Sequence, residues 1–315
     1  AGDEGILPLQ MIHEIGEILG KERGGVVARR STGDPMTAGV LLLVGTPIGN
    51  LADLSPRAIE ALGGADALAC EDTRRTGRLL AHAGVRVPVL IVMNDHTEHE
   101  VISGLLDRLA AGERVAVVSD AGMPGISDPG ERLVAAARGA GHRVEVIPGP
   151  SAAVTALVGS GLPAGRFVFE GFLPRKGAGR ADRLRAIATE ERTVLLHEAP
   201  HRLERTLVDL VATCGPDRRI VFARELTKLH EEFWSGTVAE AIDRCAEVEP
   251  RGEYVLVLEG APPPTEIDDA GLLDALASAR AAGATTRDAV AQVAERFGVA
   301  KRRVYELATG GAGQD

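Results

Sequence analysis

Residues Ser119 to Gly130 form a segment whose composition suits ligand binding. The preceding run, Arg114 to Val118, is mostly β-branched and apolar, which is typical of a buried strand. The segment reads SDAGMPGISDPG, and its glycines and prolines exclude a continuing helix or strand. Open α/β sheets bind ligands beyond the carboxyl ends of their strands, so we interpret this loop as part of a binding site. An ordinary glycine-rich turn is the alternative, although about a dozen residues is long for a compact connection.

A second group of reactive side chains lies at residues 71 to 78, which read EDTRRTGR. The group follows the apolar run 66–70, which predicts another strand. Carboxylates beside guanidinium groups at the ligand edge of a sheet could form the rim of a substrate site. A solvated charged loop is the alternative. His96 follows the predicted strand 87–93 in the same way.

Residues 197 to 201 read HEAPH, a literal match to the HExxH pattern of zinc hydrolases. That chemistry requires both histidines one turn apart on a single helix, with the glutamate as general base. Here the run Thr193 to Leu196 predicts a strand, and Pro200 lacks the N–H that a continuing helix needs. We therefore predict His197 at a strand end, His201 at a helix start, and no metal site.

Glycine-rich segments elsewhere do not match nucleotide-binding motifs. GTPIGN, at residues 45 to 50, has the spacing GxxxG instead of GxGxxG, and residues 16 to 22 lack the Ser or Thr that follows Lys in a phosphate loop. PGPSAA, at residues 148 to 153, opens a predicted helix. Its small residues and the free N–H groups of the helix start would let a ligand approach the backbone.

The composition narrows the possible classes of protein. The chain has 315 residues, of which 45% are hydrophobic and 25% charged, enough for two domains with their own cores. Aromatic residues make up only 3%, which disfavours a surface that stacks many bases. The net charge of −10 means that a nucleic acid would have to meet a local basic patch. Three widely spaced cysteines, and no leader or membrane-length apolar run, predict a cytoplasmic protein.

The predicted elements that position these residues alternate strand and helix, which is typical of a mostly parallel sheet covered by helices. We predict a first α/β domain with five strands at residues 39–165 and a second α/β domain at 166–260. Three short helices at residues 266–310 resemble a helix-turn-helix, an arrangement that also serves for packing alone. Residues 1–38 lack this pattern and are expected to be a flexible extension.

The chain resembles a known family through an ordered series of motifs between about Val40 and Gly260. They read VGTPIGNLADLSPRA, EDTRRT, VSDAGMPGISDPG, IPGPSA, EGFLPRK, LLHEAPHR, ARELTK and RGEYVLVLEG. In this order they are similar to those of the bacterial 16S rRNA ribose 2′-O-methyltransferases, the RsmI family, which modify a cytidine in the decoding region. That family lies within the tetrapyrrole methylase superfamily, also called class III methyltransferases.

The resemblance implies two α/β domains with S-adenosylmethionine in the cleft between them, a small C-terminal helical module and a homodimer. It also implies which residues hold the cofactor: Pro47, Asp120, Ala121, Met123, Ser151, Ala152, Glu198 and Leu226. The sequence departs from the family at Met123, where Thr is usual, and at Thr97, where Asn is favoured.

The reaction implied is in-line transfer of a methyl group from a sulfonium to a ribose hydroxyl, a poor nucleophile that must be positioned and must lose its proton. Five side chains at predicted strand ends are candidates for the proton acceptor, and catalysis mainly by alignment is also open: Glu71, Asp72, His96, Asp120 and Glu198. The substrate implied is 16S rRNA in the small ribosomal subunit, for which the candidate phosphate contacts are Arg74, Arg75, Arg78, Arg175, Lys176, Arg180, Lys301, Arg302 and Arg303.

Two other classes of function remain open at this point. A methylase of the same scaffold could act on a corrin or porphyrin precursor, but it would not need the basic segment that begins at Arg175 or the terminal helices. A helix-turn-helix regulator would not need a ligand-binding edge on its first sheet, and its basic surface should lie mainly in the C-terminal helices.

Overall fold

The computed structural model describes residues 39–94, 96–262 and 267–309. The predicted extension over residues 1–38 lies outside the described residues. The first sheet has five strands, all parallel, in the order β3-β2-β4-β1-β5. Their bounds are β1 Val40–Val44, β2 Ala67–Cys70, β3 Val89–Val92, β4 Arg114–Val117 and β5 Arg143–Ile147. Since every strand runs the same way, the loops that follow them emerge at one edge, as the sequence predicts.

Five helices connect these strands and follow the last of them: α1 Pro56–Gly63, α2 Thr73–Ala83, α3 Glu98–Ala110, α4 Glu131–Gly139 and α5 Ala152–Ser160. Ser55 caps α1 by accepting the Ala58 N–H, and proline occupies the first helical position. Helix α2 begins at Thr73, where the Asp72 side chain caps it by accepting the Arg74 N–H. Arg74 and Arg75 consequently lie in the first turn of a helix and not in a loop.

The second sheet is mixed, with the order β6-β7-β10-β8-β9. Its strands are β6 Phe167–Phe172, β7 Thr193–Glu198, β8 Arg219–Arg224, β9 Glu232–Thr237 and β10 Tyr254–Leu258. Only the β6–β7 pair is parallel; β10 runs antiparallel to β7 and β8, and β9 runs antiparallel to β8. The helices between these strands are α6 Ala178–Thr189, α7 Pro200–Cys214 and α8 Val238–Glu247.

Helix α5 joins the two sheets. Its buried residues Ala153, Ala156 and Leu157 pack on the second sheet together with Ile48, which follows β1. The opposite face of the second sheet packs against α6, α7 and α8. Helix α5 precedes residue 165, yet it covers the sheet that follows residue 165. The division into two domains at this residue therefore stays a prediction.

Three further helices form a small module with its own apolar core: α9 Asp269–Ala281, α10 Thr286–Phe297 and α11 Lys301–Ala308. Asp268 and Thr285 cap the first two, and Gly298, with φ of 63°, ends α10 in the left-handed region. The predicted three-helix module is confirmed. No helix within the described ranges is both long and apolar enough to cross a lipid bilayer.

Candidate active site

Two adjoining cavities lie at the carboxyl edge of the first sheet. One, the inner cleft, has a volume of about 340 Å³ and is lined by loops of both sheets. The other, the outer cavity, has a volume of about 510 Å³ and is lined mostly by the loops after β1 and β4 and by helix α2. The two linings share six residues, which form the boundary between the cavities: Ile48, Arg75, Asp120, Ala121, Lys228 and Glu253.

The inner cleft contains most of the residues predicted to hold a cofactor. Seven of the eight line it: Asp120, Ala121, Met123, Ser151, Ala152, Glu198 and Leu226. Pro47 lines the outer cavity instead. The walls of the cleft are largely apolar, with Ile48, Phe172 and Val255 among them. A mostly apolar pocket with a few polar atoms is the usual form of a small-molecule site.

The loop after β4 is held in place by its glycines and by the loop after β1. Thr46 and Gly122 exchange two backbone hydrogen bonds, of 2.8 and 3.2 Å, and φ of +87° at Gly122 suits a residue without a Cβ. The loops after β1 and β5 touch at Gly45 and Gly149, where a Cβ on either residue would lie within 2.7 Å of the backbone of the other. The loops after β1 and β5 can therefore meet below the cleft only because neither glycine has a side chain.

Asp120 is the proton-acceptor candidate that the structure places at the boundary of the cavities. Its Oδ2 lies 3.4 Å from Nη1 of Arg75, and its backbone N–H donates to Oε1 of Glu71 at 3.0 Å. Its Oδ1 is buried and has no hydrogen-bond partner. A buried carboxylate oxygen without a partner carries a desolvation cost, which a ligand that donates a hydrogen bond would relieve.

Glu198 is not placed to accept a proton, which corrects one expectation. Its side chain is only 1% exposed; it accepts from the Thr206 hydroxyl at 2.6 Å and the Ala199 N–H at 2.9 Å, and it pairs with Arg202 at 3.2 Å. These partners fix it as a structural carboxylate of the cleft wall.

Three other candidates lie outside both linings: Glu71, Asp72 and His96. Glu71 supports the backbone of Asp120. Asp72 caps α2 and accepts hydrogen bonds from the Arg74 guanidinium and N–H, which lower its pKa and make it a poorer base. His96 is exposed, and its backbone N–H donates to the side-chain oxygen Oδ1 of Asn94. None of the three is therefore placed to touch a group at the boundary.

Two residues of the inner cleft were missed as ligand contacts by sequence reasoning: His197 and Lys228. His197 was considered only as part of HEAPH; its Nε2 is buried without a partner in the cleft, between the edges of Phe169 and Phe172. Burial lowers the pKa of His197, although the charge of Glu253 opposes the shift. The motif itself is divided as predicted, with His197 on β7 and His201 in the first turn of α7. Over the described ranges, no group of three or more His, Cys, Asp or Glu side chains is arranged to hold a metal ion.

Lys228 reaches the boundary from the second sheet. Its Nζ lies 3.0 Å from Glu225 and 3.6 Å from Glu253. No sequence spacing indicates this cluster; it forms because β10 runs antiparallel to β8, so that the start of one strand lies beside the end of the other. The boundary thus holds two cations and two carboxylates, which we call the boundary quartet: Arg75, Asp120, Lys228 and Glu253.

The predicted phosphate contacts divide into accessible and inaccessible residues. Arg75 and Arg78 line the outer cavity, while Arg74, Arg175, Lys176, Lys301, Arg302 and Arg303 are exposed, with Arg303 paired to Asp269. Arg180 was predicted wrongly. Only 5% of it is exposed, and its guanidinium is bonded to Asp209, Thr206 and the carbonyl of Pro174, so it stabilises α6 against α7.

Comparison with known proteins gives consistent results. The sequence profile of the tetrapyrrole (corrin/porphyrin) methylases matches residues 40–242. A protein of Synechocystis sp. named ribosomal RNA small subunit methyltransferase I is 48% identical, over 85% of this chain and 97% of its own length. The protein of that name from Escherichia coli O157:H7 is 46% identical, over 86% and 94%.

Solved structures with the same fold include the methyltransferase CobJ, with a TM-score of 0.56 and 23% identity over 71% of this chain and 95% of that one. The uroporphyrin-III C-methyltransferase of Thermus thermophilus, complexed with S-adenyl homocysteine, has a TM-score of 0.50 and 21% identity over 70% and 96%. At these identities the likeness shows a shared two-sheet fold.

Proposed function

The chain belongs to the tetrapyrrole (corrin/porphyrin) methylase family and, within it, to the ribosomal RNA small subunit methyltransferases I, and on this basis we propose its reaction. The protein transfers a methyl group from S-adenosylmethionine to the ribose 2′-hydroxyl of a cytidine in the decoding region of 16S rRNA, within the small ribosomal subunit. The observation that carries the proposal is the meeting of an apolar cleft and a charged cavity at Asp120.

The inner cleft fits S-adenosylmethionine in size and chemistry. Its apolar walls suit the adenine and the aliphatic chain, while the unpartnered Nε2 of His197 offers a hydrogen bond. When bound, the cofactor supplies a methyl group on a positively charged sulfur. The residues proposed to hold it are Asp120, Ala121, Met123, Ser151, Ala152, Leu226 and the backbone of Glu198, with Pro47 at the entrance from the outer cavity.

Asp120 is the proposed proton acceptor. It is the one candidate of the five that lines both cavities and has a buried oxygen free to accept a hydrogen bond. Arg75, which contacts its other oxygen, orients the carboxylate. The rest of the catalysis is alignment: the boundary holds the hydroxyl against the methyl group and excludes water from the cleft.

The outer cavity is the proposed RNA entrance. Arg75 and Arg78 at its lining, and the exposed Arg175 and Lys176 beyond β6, offer guanidinium and ammonium groups to phosphates. The exposed cations at the start of α11, Lys301 to Arg303, are a second proposed contact. Such contacts would give the chain the local positive charge that its net charge lacks.

We also propose a homodimer in the cytoplasm. Val154 and Val158 lie on one exposed face of α5, where apolar side chains one turn apart favour an interface. All three cysteines are free thiols, as in a reducing compartment. Light scattering coupled to gel filtration tests the dimer, and Val158→Glu is expected to shift it to monomer.

Methyl transfer is tested with purified protein, labelled S-adenosylmethionine and small ribosomal subunits from a strain that lacks this modification. The expected result is label in 16S rRNA at a cytidine ribose, with the adjacent phosphodiester protected from alkaline cleavage because the 2′-oxygen is blocked. Transfer to a corrin or porphyrin precursor instead, or no cofactor binding by calorimetry, would overturn the proposal.

A further inference from the structure

Lys228 lines the boundary of the two cavities together with the Arg75–Asp120 pair. Of the two cations in the boundary quartet, Lys228 is the one that lies on a loop of the second sheet. It lines both the inner cleft and the outer cavity. Its side chain is 32% exposed, which leaves the ammonium within reach of a molecule in either cavity.

The turn that carries Lys228 is held in an unusual conformation. Glu225 and Thr227 have φ of +50° and +63°, a region that residues other than glycine rarely occupy, and the hydroxyl of Thr227 is buried without a partner. The turn also packs tightly on the first sheet: a Cβ at Gly49 would lie 2.6 Å from Cγ of Lys228. Strain of this kind persists where the surrounding structure fixes a residue for a function.

The surroundings of Lys228 keep it protonated. Burial by itself would lower its pKa, but the hydrogen bonds and charges of Glu225 and Glu253 outweigh burial and raise it. Glu225 is itself fixed, because its Oε1 also accepts the Glu253 N–H at 3.1 Å. An ammonium cannot remove a proton from a hydroxyl. It can donate a hydrogen bond to an oxygen that gains negative charge.

We propose that Lys228 is a catalytic residue that donates a hydrogen bond to the ribose 2′-oxygen and stabilises the negative charge that develops there. This inference rests on the proposed methyl transfer. The ribose oxygen uses a lone pair to form the bond to the methyl carbon, and its proton passes to Oδ1 of Asp120. The carbon–sulfur bond breaks with its electron pair remaining on sulfur, which becomes a neutral thioether.

The division of roles follows from the partners of each cation. Arg75 lies 3.4 Å from Asp120 and orients the base. The exposed partner of Lys228, Glu253, has a side chain that is 74% exposed and lies 3.6 Å away. An ammonium has three N–H donors, so Lys228 can donate to the ribose oxygen while Glu225, at 3.0 Å, and Glu253 remain its partners.

Lys228→Met, which removes the charge and keeps the length of the side chain, tests the proposal together with Lys228→Arg. Arg251→Met is the matched control, since Arg251 is an exposed cation near Glu253 that pairs with Glu249 and lines neither cavity. Single-turnover rates are measured with saturating S-adenosylmethionine and small subunits between pH 6 and 9. Calorimetry gives cofactor affinity without RNA, and filter binding gives RNA affinity without cofactor.

For Lys228→Met we expect a rate reduced about 100-fold, the usual effect of removing one donor to a developing oxyanion, with both affinities within about threefold of wild type. The rate of the Lys228→Met variant should rise steeply with pH, because without the ammonium only a ribose 2′-hydroxyl that has already ionised reacts well. Lys228→Arg should recover at least part of the rate, and Arg251→Met should match wild type within about twofold.

Each other result overturns the proposal. A loss of cofactor affinity as large as the loss of rate would make Lys228 a cofactor contact, and an equal loss of RNA affinity would make it a phosphate contact. A loss with no pH dependence and no recovery by arginine would indicate a structural role, and an unchanged rate would indicate none. If wild type itself transfers no methyl group to RNA, the proposed function fails and this inference fails with it.

Discussion

The inner cleft and the outer cavity adjoin, yet they differ in walls and in origin. The cleft is walled largely by apolar surface from both sheets, and two polar atoms at its lining, Asp120 Oδ1 and His197 Nε2, are buried without a partner. The cavity takes nearly all of its lining from helix α2 and from loops of the first sheet, and it contains Arg75 and Arg78. The first suits a small molecule removed from water, and the second suits a polyanion that stays hydrated at its edge.

This difference indicates where a cofactor in the cleft and an RNA in the cavity can react with each other. Substitutions in the cleft should affect stability and cofactor affinity, because its walls are also the packed core between the sheets. Substitutions of the exposed arginines of the cavity, Arg75 and Arg78, should affect RNA affinity and leave the fold intact. Within the boundary quartet, Lys228 is the residue whose substitution should affect the rate of transfer with little change in either affinity.

The largest effect is expected for Glu198→Ala in the cleft wall. The substitution leaves Arg202 without its buried partner and the Thr206 hydroxyl without its acceptor, which costs about 3–5 kcal/mol in comparable buried pairs. Urea unfolding followed by circular dichroism measures the change. Glu249→Ala, at an exposed ion pair, should change the free energy of unfolding by less than about 0.5 kcal/mol. Equal losses in the two variants would show that the wall is not a rigid part of the core.

A smaller loss is expected for Gly149→Ala. The new Cβ would lie 2.7 Å from backbone atoms of Gly45, which cannot rotate away, so the loops after β1 and β5 must separate. Overpacking of this kind costs about 1–3 kcal/mol, and cofactor affinity measured by calorimetry should fall with it. Gly104→Ala is the control: within α3 a Cβ there meets no atom within 4 Å, so stability should be unchanged or slightly higher. A variant at Gly149 that binds the cofactor normally would contradict the close approach of the two loops.

The sequence predicts the fold well and the chemistry of the boundary only in part. Alternating apolar runs and turn residues are local signals, and they predicted the five strands of the first sheet and its parallel arrangement, in which the loops meet at one edge. Local signals do not predict the strand order of the second sheet, because antiparallel pairs such as β8 and β10 bring together residues that are distant in sequence. Lys228 was missed as a contact for that reason.

Charge was the other limit of sequence reasoning. Arg180 and Arg175 look alike in a basic segment, but Arg180 is buried against α7 and Arg175 is exposed, a distinction that depends on tertiary packing. Glu198 and Asp120 both follow strands, and only the partners of each show that one is a structural carboxylate and the other has a buried oxygen without a partner. Residue type and position in an element therefore predict a candidate, while its partners decide its role.

In the outer cavity, Arg78→Ala should weaken RNA binding modestly and leave cofactor affinity unchanged. If Arg78 contacts one phosphate, the slope of log affinity against log salt should fall by about 0.7, the value for one contact on a single strand. Filter binding over a series of salt concentrations measures the slope. Arg138→Ala, at an exposed position in α4 outside both cavities, should retain the wild-type slope. A lower cofactor affinity in Arg78→Ala would mean that the two cavities do not separate the two ligands.

The smallest effect is expected from the titration of His197 in the inner cleft. Burial lowers the folded-state pKa of this side chain from its ordinary value of 6.5, so the unfolded chain takes up a proton more readily than the folded one. The stability that neutral His197 preserves is therefore complete above pH 6.5 and is lost as pH falls towards the lower folded-state pKa. Cofactor affinity should fall over the same range, because a protonated imidazole would repel the sulfonium.

His197→Gln should remove this component of the pH dependence, both in urea unfolding and in calorimetry between pH 5 and 8. His201→Gln, at an exposed position of the same HEAPH segment, should keep the wild-type dependence. His197 lines the cleft and His201 is exposed, although both belong to the same five-residue segment. Comparing the two variants therefore distinguishes an effect of the cleft from an effect of the surrounding surface. If both variants titrate as wild type does, the cleft near His197 is open to water, and the contrast between an apolar cleft and a hydrated cavity does not hold at this wall.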